Sequence, residues 1–176
     1  MKAMFNIEKP KVGLLNVGSE EGKGNDAIKQ AYNLLEGSGV NFVGNIEGSD
    51  IFKGKADVAV CDGFVGNVTL KAIEGAGTFL MNMIKSAFLK NLKTKLGAML
   101  LKGDMKDIKK VLDADENGGA LIIGVNGLVM KSHGNSNVRT IKNVVLKASI
   151  LGKTKIIETL SDEFANMEVD DIEQEL

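Results

Sequence analysis

The chain has 176 residues, 44% of them hydrophobic and 26% charged, which places it in the soluble globular class with one core-bearing domain. Aromatic residues make up only 5% and tryptophan is absent, so the core must be mostly aliphatic. With 22 basic against 23 acidic residues no global charge points to nucleic acid, and the single cysteine, Cys61, excludes an internal disulfide.

Neither a cleavable leader nor an uncharged apolar run near the roughly 18–20 residues of a membrane-spanning helix is present, so the expected location is the cytoplasm. Residues 11–17 read as a buried strand that runs into a glycine-rich turn. Residues 25–36 then carry Ile28, Ala31, Leu34 and Leu35 at helical spacing, stopped by Gly37 and Gly39. Residues 40–43 and 57–61 are two more candidate strands, separated by residues 46–51 and a polar turn, and Cys61 falls in the second as a buried strand residue. From Asn67 a long helical pattern begins. Residues 120–124 and 127–130 are short apolar runs, two strands or one bent strand, broken by a Val-Asn-Gly turn. Helical spacing resumes over residues 136–151 through Val138, Ile141, Val144, Val145 and Ala148. This order predicts an α/β fold with a mainly parallel sheet and flanking helices, in which ligands collect at the carboxyl ends of strands.

Three loops lie at such ends. The first, residues 18–25, offers backbone N–H groups and a helix N-terminus to an anion. It is not a Walker A loop, because Gly18 and Gly22 are parted by three residues rather than four and Gly24 follows Lys23. The segment from Gly22 to Ala27 does satisfy the G-x-G-x-x-A dinucleotide pattern, and Glu47 stands in a plausible ribose position. Against a pyrophosphate there, Glu20 and Glu21 would repel it, and a tight strand-to-helix connection without a ligand explains the same residues.

In the second loop, residues 61–67, Asn67 is expected to cap the following helix and Asp62 to orient a substrate or a lysine. Asp-Gly is equally a plain turn signal, and Phe64 can be read as a core plug. The third loop, residues 131–136, holds the chain's one histidine, His133, beside Lys131 and two serines. Imidazole ordinarily titrates near neutrality, which suits phosphate binding or proton transfer, although a lone histidine is as readily a surface hydrogen-bonding group. No Cys/His cluster accompanies it, so no metal site is expected.

Four stretches carry a family resemblance: residues 12–25 (VGLLNVGSEEGKGN), 45–51 (NIEGSDI), 57–71 (DVAVCDGFVGNVTLK) and 118–135. As an ordered set, covering roughly residues 10–152, they resemble the C-terminal half of the PlsX family of bacterial phosphate acyltransferases. The resemblance implies transfer of a fatty acyl group from acyl carrier protein to inorganic phosphate, giving acyl phosphate for phospholipid synthesis. It also implies a homodimer, no metal or nucleotide cofactor, and a fold similar to the isocitrate and isopropylmalate dehydrogenases. Family members carry a comparable length of chain before the segment matching Pro10. Were those strands part of the same sheet, this chain would expose an edge and apolar surface.

Phosphate attacks a thioester directly, so the protein needs a phosphate cradle and oxyanion donors rather than a nucleophile of its own. The candidate phosphate and substrate residues are Lys23, Gly24, Asn25, Gly63, Gly66 and Asn67, with Asp62, Lys131 and His133 as candidate catalytic groups. A basic stretch without acids lies between Glu74 and Asp104, where apolar residues recur at three- and four-residue spacing. There Lys85, Phe88, Lys90, Lys93 and Lys95 are candidates to contact an anionic membrane surface or the acidic acyl carrier protein, while packing in the core or a dimer interface explains the same face.

The expected organisation is an α/β portion over residues 1–152 with a protruding amphipathic helical insert near 78–112, followed by an acidic helix and tail over 153–176. Two other functions fit the sequence: a nicotinamide-dependent dehydrogenase of related fold, and a non-catalytic half-protein that folds with a missing partner.

Overall fold

The computed structural model describes residues 5–112, 119–134 and 136–166. The chain divides into two compact units, Met1–Ala87 and Phe88–Leu176, each taken by itself below.

The first unit is built on a three-stranded parallel sheet of order β2-β1-β3, from β1 (Val12–Leu15), β2 (Phe42–Ile46) and β3 (Val58–Val60). All four residues of β1 are buried, as expected for the central strand of a parallel sheet covered on both faces. Between β1 and β2 runs helix α1 (Asp26–Gly37), capped by the Asn25 side chain, whose Oδ1 accepts the Ile28 N–H at 2.9 Å. The helix packs on β1 and β2, and Tyr32 meets Phe42 edge to face with ring centroids 5.0 Å apart.

The pairing of β2 with β1 slips by one residue. Val12 stands opposite Phe42, but Leu14 stands opposite Asn45, so three steps along β2 match two along β1. The extra residue is accommodated at Gly44, whose φ of 82° lies where glycine alone is comfortable. Beyond this bulge Asn45 and Ile46 are both buried.

A short 3-10 helix, Gly48–Lys53, links β2 towards β3 and contains the buried Asp50. Helix α2 (Gly63–Phe88) follows β3 and has no buried residue. The core of this unit is small: Val12, Leu14, Leu15 and Ile46.

The second unit contains α3 (Leu92–Leu100), α4 (Lys102–Leu112), an antiparallel pair β4 (Ala120–Ile122) and β5 (Val129–Lys131), then α5 (Val138–Lys153) and α6 (Ile156–Asn166). Asparagines start two of its helices, Asn91 for α3 and Asn137 for α5, each in a reciprocal capping box with a threonine. Val144 and Leu151 of α5 are its buried apolar side chains, and a Cβ at Gly119 would come within 2.7 Å of Val144. The entry to β4 therefore lies directly on α5.

The α/β class and the parallel sheet match the sequence reading, and the runs at residues 120–124 and 127–130 form two strands, an antiparallel pair. Two elements differ. The strand expected over residues 57–61 is short and half-exposed, and Cys61 lies just past its end rather than buried within it. Helix α2 starts at Gly63, earlier than Asn67, because the residue before it supplies the cap. The C-terminal acids Glu168, Asp170, Asp171, Glu173 and Glu175 lie outside the described residues, as do Gly118 and Asn135 of the fourth resembling stretch.

Candidate functional site

The glycine loop after β1 is pinned by two asparagines at the carboxyl ends of adjacent strands. Asn16, next after β1, donates through Nδ2 to the carbonyl of Lys23 at 2.9 Å, while its Oδ1 accepts the Val17 N–H at 2.7 Å. Asn45, on β2, donates through Nδ2 to the carbonyl of Glu20 at 2.8 Å. That carbonyl also accepts the Lys23 N–H at 3.1 Å, closing a tight turn over residues 20–23. Gly24 enters α1 with φ of 93°, and a Cβ there would stand 2.8 Å from both Asn16 Oδ1 and Ile28 Cγ2. Nothing lies within 4 Å of a Cβ built at Gly22, so the crest of the turn faces open space.

Of the residues expected in this cradle, Lys23, Gly24 and Asn25 follow one another at the N-terminus of α1, where backbone N–H groups and the helix dipole favour an anion. The Lys23 ammonium is 3.9 Å from a Glu20 carboxylate oxygen, with both side chains exposed, so it stays available to solvent and ligand. Asn16 and Asn45 were missed by sequence reasoning. Asn16 was legible as a polar residue closing an apolar strand; Asn45 was not, because its orientation depends on the Gly44 bulge.

In the second loop Asp62 is the cap. Its Oδ1 accepts the Phe64 N–H at 2.8 Å and the Val65 N–H at 2.9 Å, and its carbonyl accepts the Gly66 N–H at 2.9 Å. Asn67, expected to cap, is an exposed residue inside the first turns of α2. Phe64, read as a core plug, is 80% exposed, because the helix start turns it to solvent. Gly63 and Gly66 lie on this same first turn. A Cβ at Gly66 would meet Cys61 Sγ at 2.7 Å, so the thiol lies against the turn and glycine makes room for it. Partial burial, and secondarily the Asp62 charge, push the Cys61 thiol above its ordinary range.

Just past the carboxyl end of β2, Asp50 ties the bulged strand to the following segment. Lys53 Nζ reaches its Oδ1 at 2.9 Å, its Oδ2 accepts the Glu47 N–H at 3.1 Å, and Lys55 Nζ stands 3.4 Å from Oδ2 and 3.2 Å from the Asn45 carbonyl. The Lys53 hydrogen bond and the Glu47 amide hold the Asp50 carboxyl down at about 2.

The third loop belongs to the second unit. Lys131, exposed, ends β5, and His133, also exposed, follows two residues later. Ser136 closes this turn, its N–H donating to the His133 carbonyl at 3.1 Å and its hydroxyl standing 2.6 Å from that of Ser132. Lys85, Lys90, Lys93 and Lys95 are exposed and Phe88 is half-buried; Lys85 and Phe88 lie at the end of α2, Lys93 and Lys95 on α3, and Lys90 in the connection between them. Exposed apolar side chains share these helices, among them Phe79, Leu80, Met83, Leu92, Leu96 and Met99. No helix among the described residues is long and apolar enough to cross a membrane, and among them no cluster of His, Cys, Asp or Glu is arranged to hold a metal ion.

The sequence model of the family described as fatty acid synthesis protein matches residues 1–159. The chain belongs to that family. Among curated relatives, the phosphate acyltransferase of Acetivibrio thermocellus is 62% identical over all 176 residues of this chain and 52% of its own length. The phosphate acyltransferase of Thermodesulfovibrio yellowstonii is 45% identical over 173 residues, 98% of this chain and 50% of its own length. That of Lysinibacillus sphaericus is 40% identical over 169 residues, 96% of this chain and 51% of its own length. The chain thus spans about half the length of these curated relatives.

Proposed function

We propose that this chain forms part of an acyltransferase that moves a fatty acyl group from acyl carrier protein to inorganic phosphate, giving acyl phosphate for phospholipid synthesis. The observation that carries the reading is the Lys23-Gly24-Asn25 run at the N-terminus of α1, in a chain 62% identical over its whole length to a relative named phosphate acyltransferase. A dianion fits a site made of backbone N–H groups, a helix N-terminus and one exposed ammonium. Glu20 and Glu21 oppose it, and the pairing of Glu20 with Lys23 softens the first of these.

In the proposed reaction a phosphate oxygen attacks the thioester carbonyl, a C–O bond forms, the C–S bond breaks, and the carrier thiolate leaves and is protonated. The first loop holds the attacking phosphate; Gly63, Gly66 and Asn67 at the start of α2 are proposed substrate contacts. Lys131 and His133 are proposed, on the chemistry of an ammonium and an imidazole, to neutralise developing charge and move the proton. Asp62 is proposed to act on substrate through its charge, in addition to capping α2. The chemistry as written needs no metal or nucleotide.

The wider reading has a dehydrogenase-like fold, a cytoplasmic homodimer, and the basic amphipathic segment protruding over residues 78–112. Exposed Lys85, Phe79 and Met83 on α2, and exposed Lys93 and Lys95 with Leu92 and Leu96 on α3, support peripheral contact with an anionic membrane, and these lysines with Lys90 suit docking of the acidic carrier protein. Flotation with anionic liposomes at low and high salt tests the first; no binding in either condition counts against it.

A second reading is favoured by one observation. Large apolar side chains such as Val17, Phe64, Leu100 and Val138 are each at least 80% exposed, in a chain about half as long as its relatives. On that reading the active protein includes what corresponds to the other half, and this chain alone does not turn over. Phosphate-dependent consumption of acyl carrier thioester should be measured for the chain alone and co-expressed with the half of the A. thermocellus relative that it does not match. Activity in the second case only supports both readings; no phosphate dependence in either removes the acyltransferase proposal.

A further inference from the structure

We infer that Asn16 and Asn45 are positioning residues that hold the glycine loop in the form that binds phosphate; this rests on the phosphate reading above. A trans peptide sets its carbonyl and its N–H on opposite sides, and the chain has no cis peptide. Asn45 draws the Glu20 carbonyl toward the end of β2, so the N–H of Glu21 is turned away from it. Asn16 draws the Lys23 carbonyl toward the end of β1, so the N–H of Gly24 is turned away in the same manner. The two amides that a phosphate would meet, on either side of the open crest at Gly22, are therefore oriented by the side chains of Asn45 and Asn16.

The arrangement runs back to the Gly44 bulge. The extra residue at φ 82° shifts Asn45 by one place against β1, and Asn45 then lies only 2% exposed with its Nδ2 committed to the loop. Its Oδ1 is buried with no hydrogen-bond partner among the described residues. An interior rarely keeps an unpaired acceptor, and packing alone would be better served by an apolar side chain of that size. The Asn45 Nδ2 is the group that reaches the loop. Lys55 Nζ also donates to the Asn45 carbonyl at 3.2 Å.

Replacing asparagine by aspartate removes the donor and keeps the shape. In Asn16→Asp the acceptor for the Val17 N–H also survives, so this half-buried position gives the milder variant should Asn45→Asp fail to fold. Asn41→Asp makes the same change at the amino end of β2, where Nδ2 donates to the Lys9 carbonyl at 3.3 Å, and serves as the control. Inorganic phosphate is titrated into the full 15N-labelled chain and the amide signals are followed. The expected result is that the Glu21 and Gly24 signals respond in the parent chain and the control. In Asn16→Asp and Asn45→Asp the apparent Kd rises about tenfold or more, while the Phe64 and Val65 amides keep their native positions. Equal affinity in parent and Asn16→Asp overturns the positioning role and leaves the phosphate reading standing. No response to phosphate in the parent overturns the phosphate reading, and the inference with it.

Discussion

Asp62 and Phe64 are joined by a 2.8 Å hydrogen bond from the Phe64 N–H to the Asp62 carboxylate, so an acid read as a substrate-orienting group also starts helix α2. The two roles separate by substitution. Asp62→Ala removes the acceptor and is expected to destabilise the chain by about 1 kcal/mol, whereas Asp62→Asn keeps a capping oxygen and stays within a few tenths. Urea midpoints measure this. A loss of phosphate-dependent transfer in Asp62→Asn at unchanged stability would then belong to the charge.

Two glycines of the first loop are expected to respond in opposite directions. Gly24→Ala places a Cβ 2.8 Å from Asn16 Oδ1 at a φ of 93° and should cost more than about 1 kcal/mol. Gly22→Ala meets nothing within 4 Å and should raise stability by about 0.5 kcal/mol by restricting the unfolded chain. Thermal or urea melts of the two variants side by side decide this, and equal effects would contradict the loop geometry.

Asp50 gives a pH dependence with a definite sign. Its carboxyl is held at about 2 in the fold against an ordinary 3.8, through Lys53 and the Glu47 amide. A depressed carboxylate stabilises the fold fully above its unfolded value, and that contribution disappears as pH falls from about 4 towards 2. Urea midpoints followed from pH 6 to pH 2 should fall less steeply below pH 4 in Asp50→Asn than in the parent chain.

Cys61 should be a slow thiol. Burial first, and the neighbouring Asp62 charge second, raise its titration above the ordinary range, and the thiolate is the reactive form. Iodoacetamide labelling of the native chain is expected to have a higher pH midpoint than labelling in urea. Asp62→Asn should shift the native midpoint down. An unshifted native midpoint would place the thiol in open solvent.

The local alternation of apolar runs, glycine turns and helical spacing determined the elements from β1 to α1 and located the first loop at a strand's carboxyl end, because those signals are written within a few neighbouring residues. The ordered motifs also carried the family. The sequence misread what depends on partners far along the chain. Phe64 can be read as a core plug but is turned out by the cap at Asp62, and residues 120–124 and 127–130, which could be one bent strand, form two that pair antiparallel. Asn45 was read only as part of a motif, yet one inserted residue at Gly44 turns it inward to a carbonyl 25 positions earlier. Sequence determined which residues could turn, cap or stay buried; tertiary structure alone decided which of their donors meet which carbonyls, since a single-residue shift in strand register reverses the face each side chain presents.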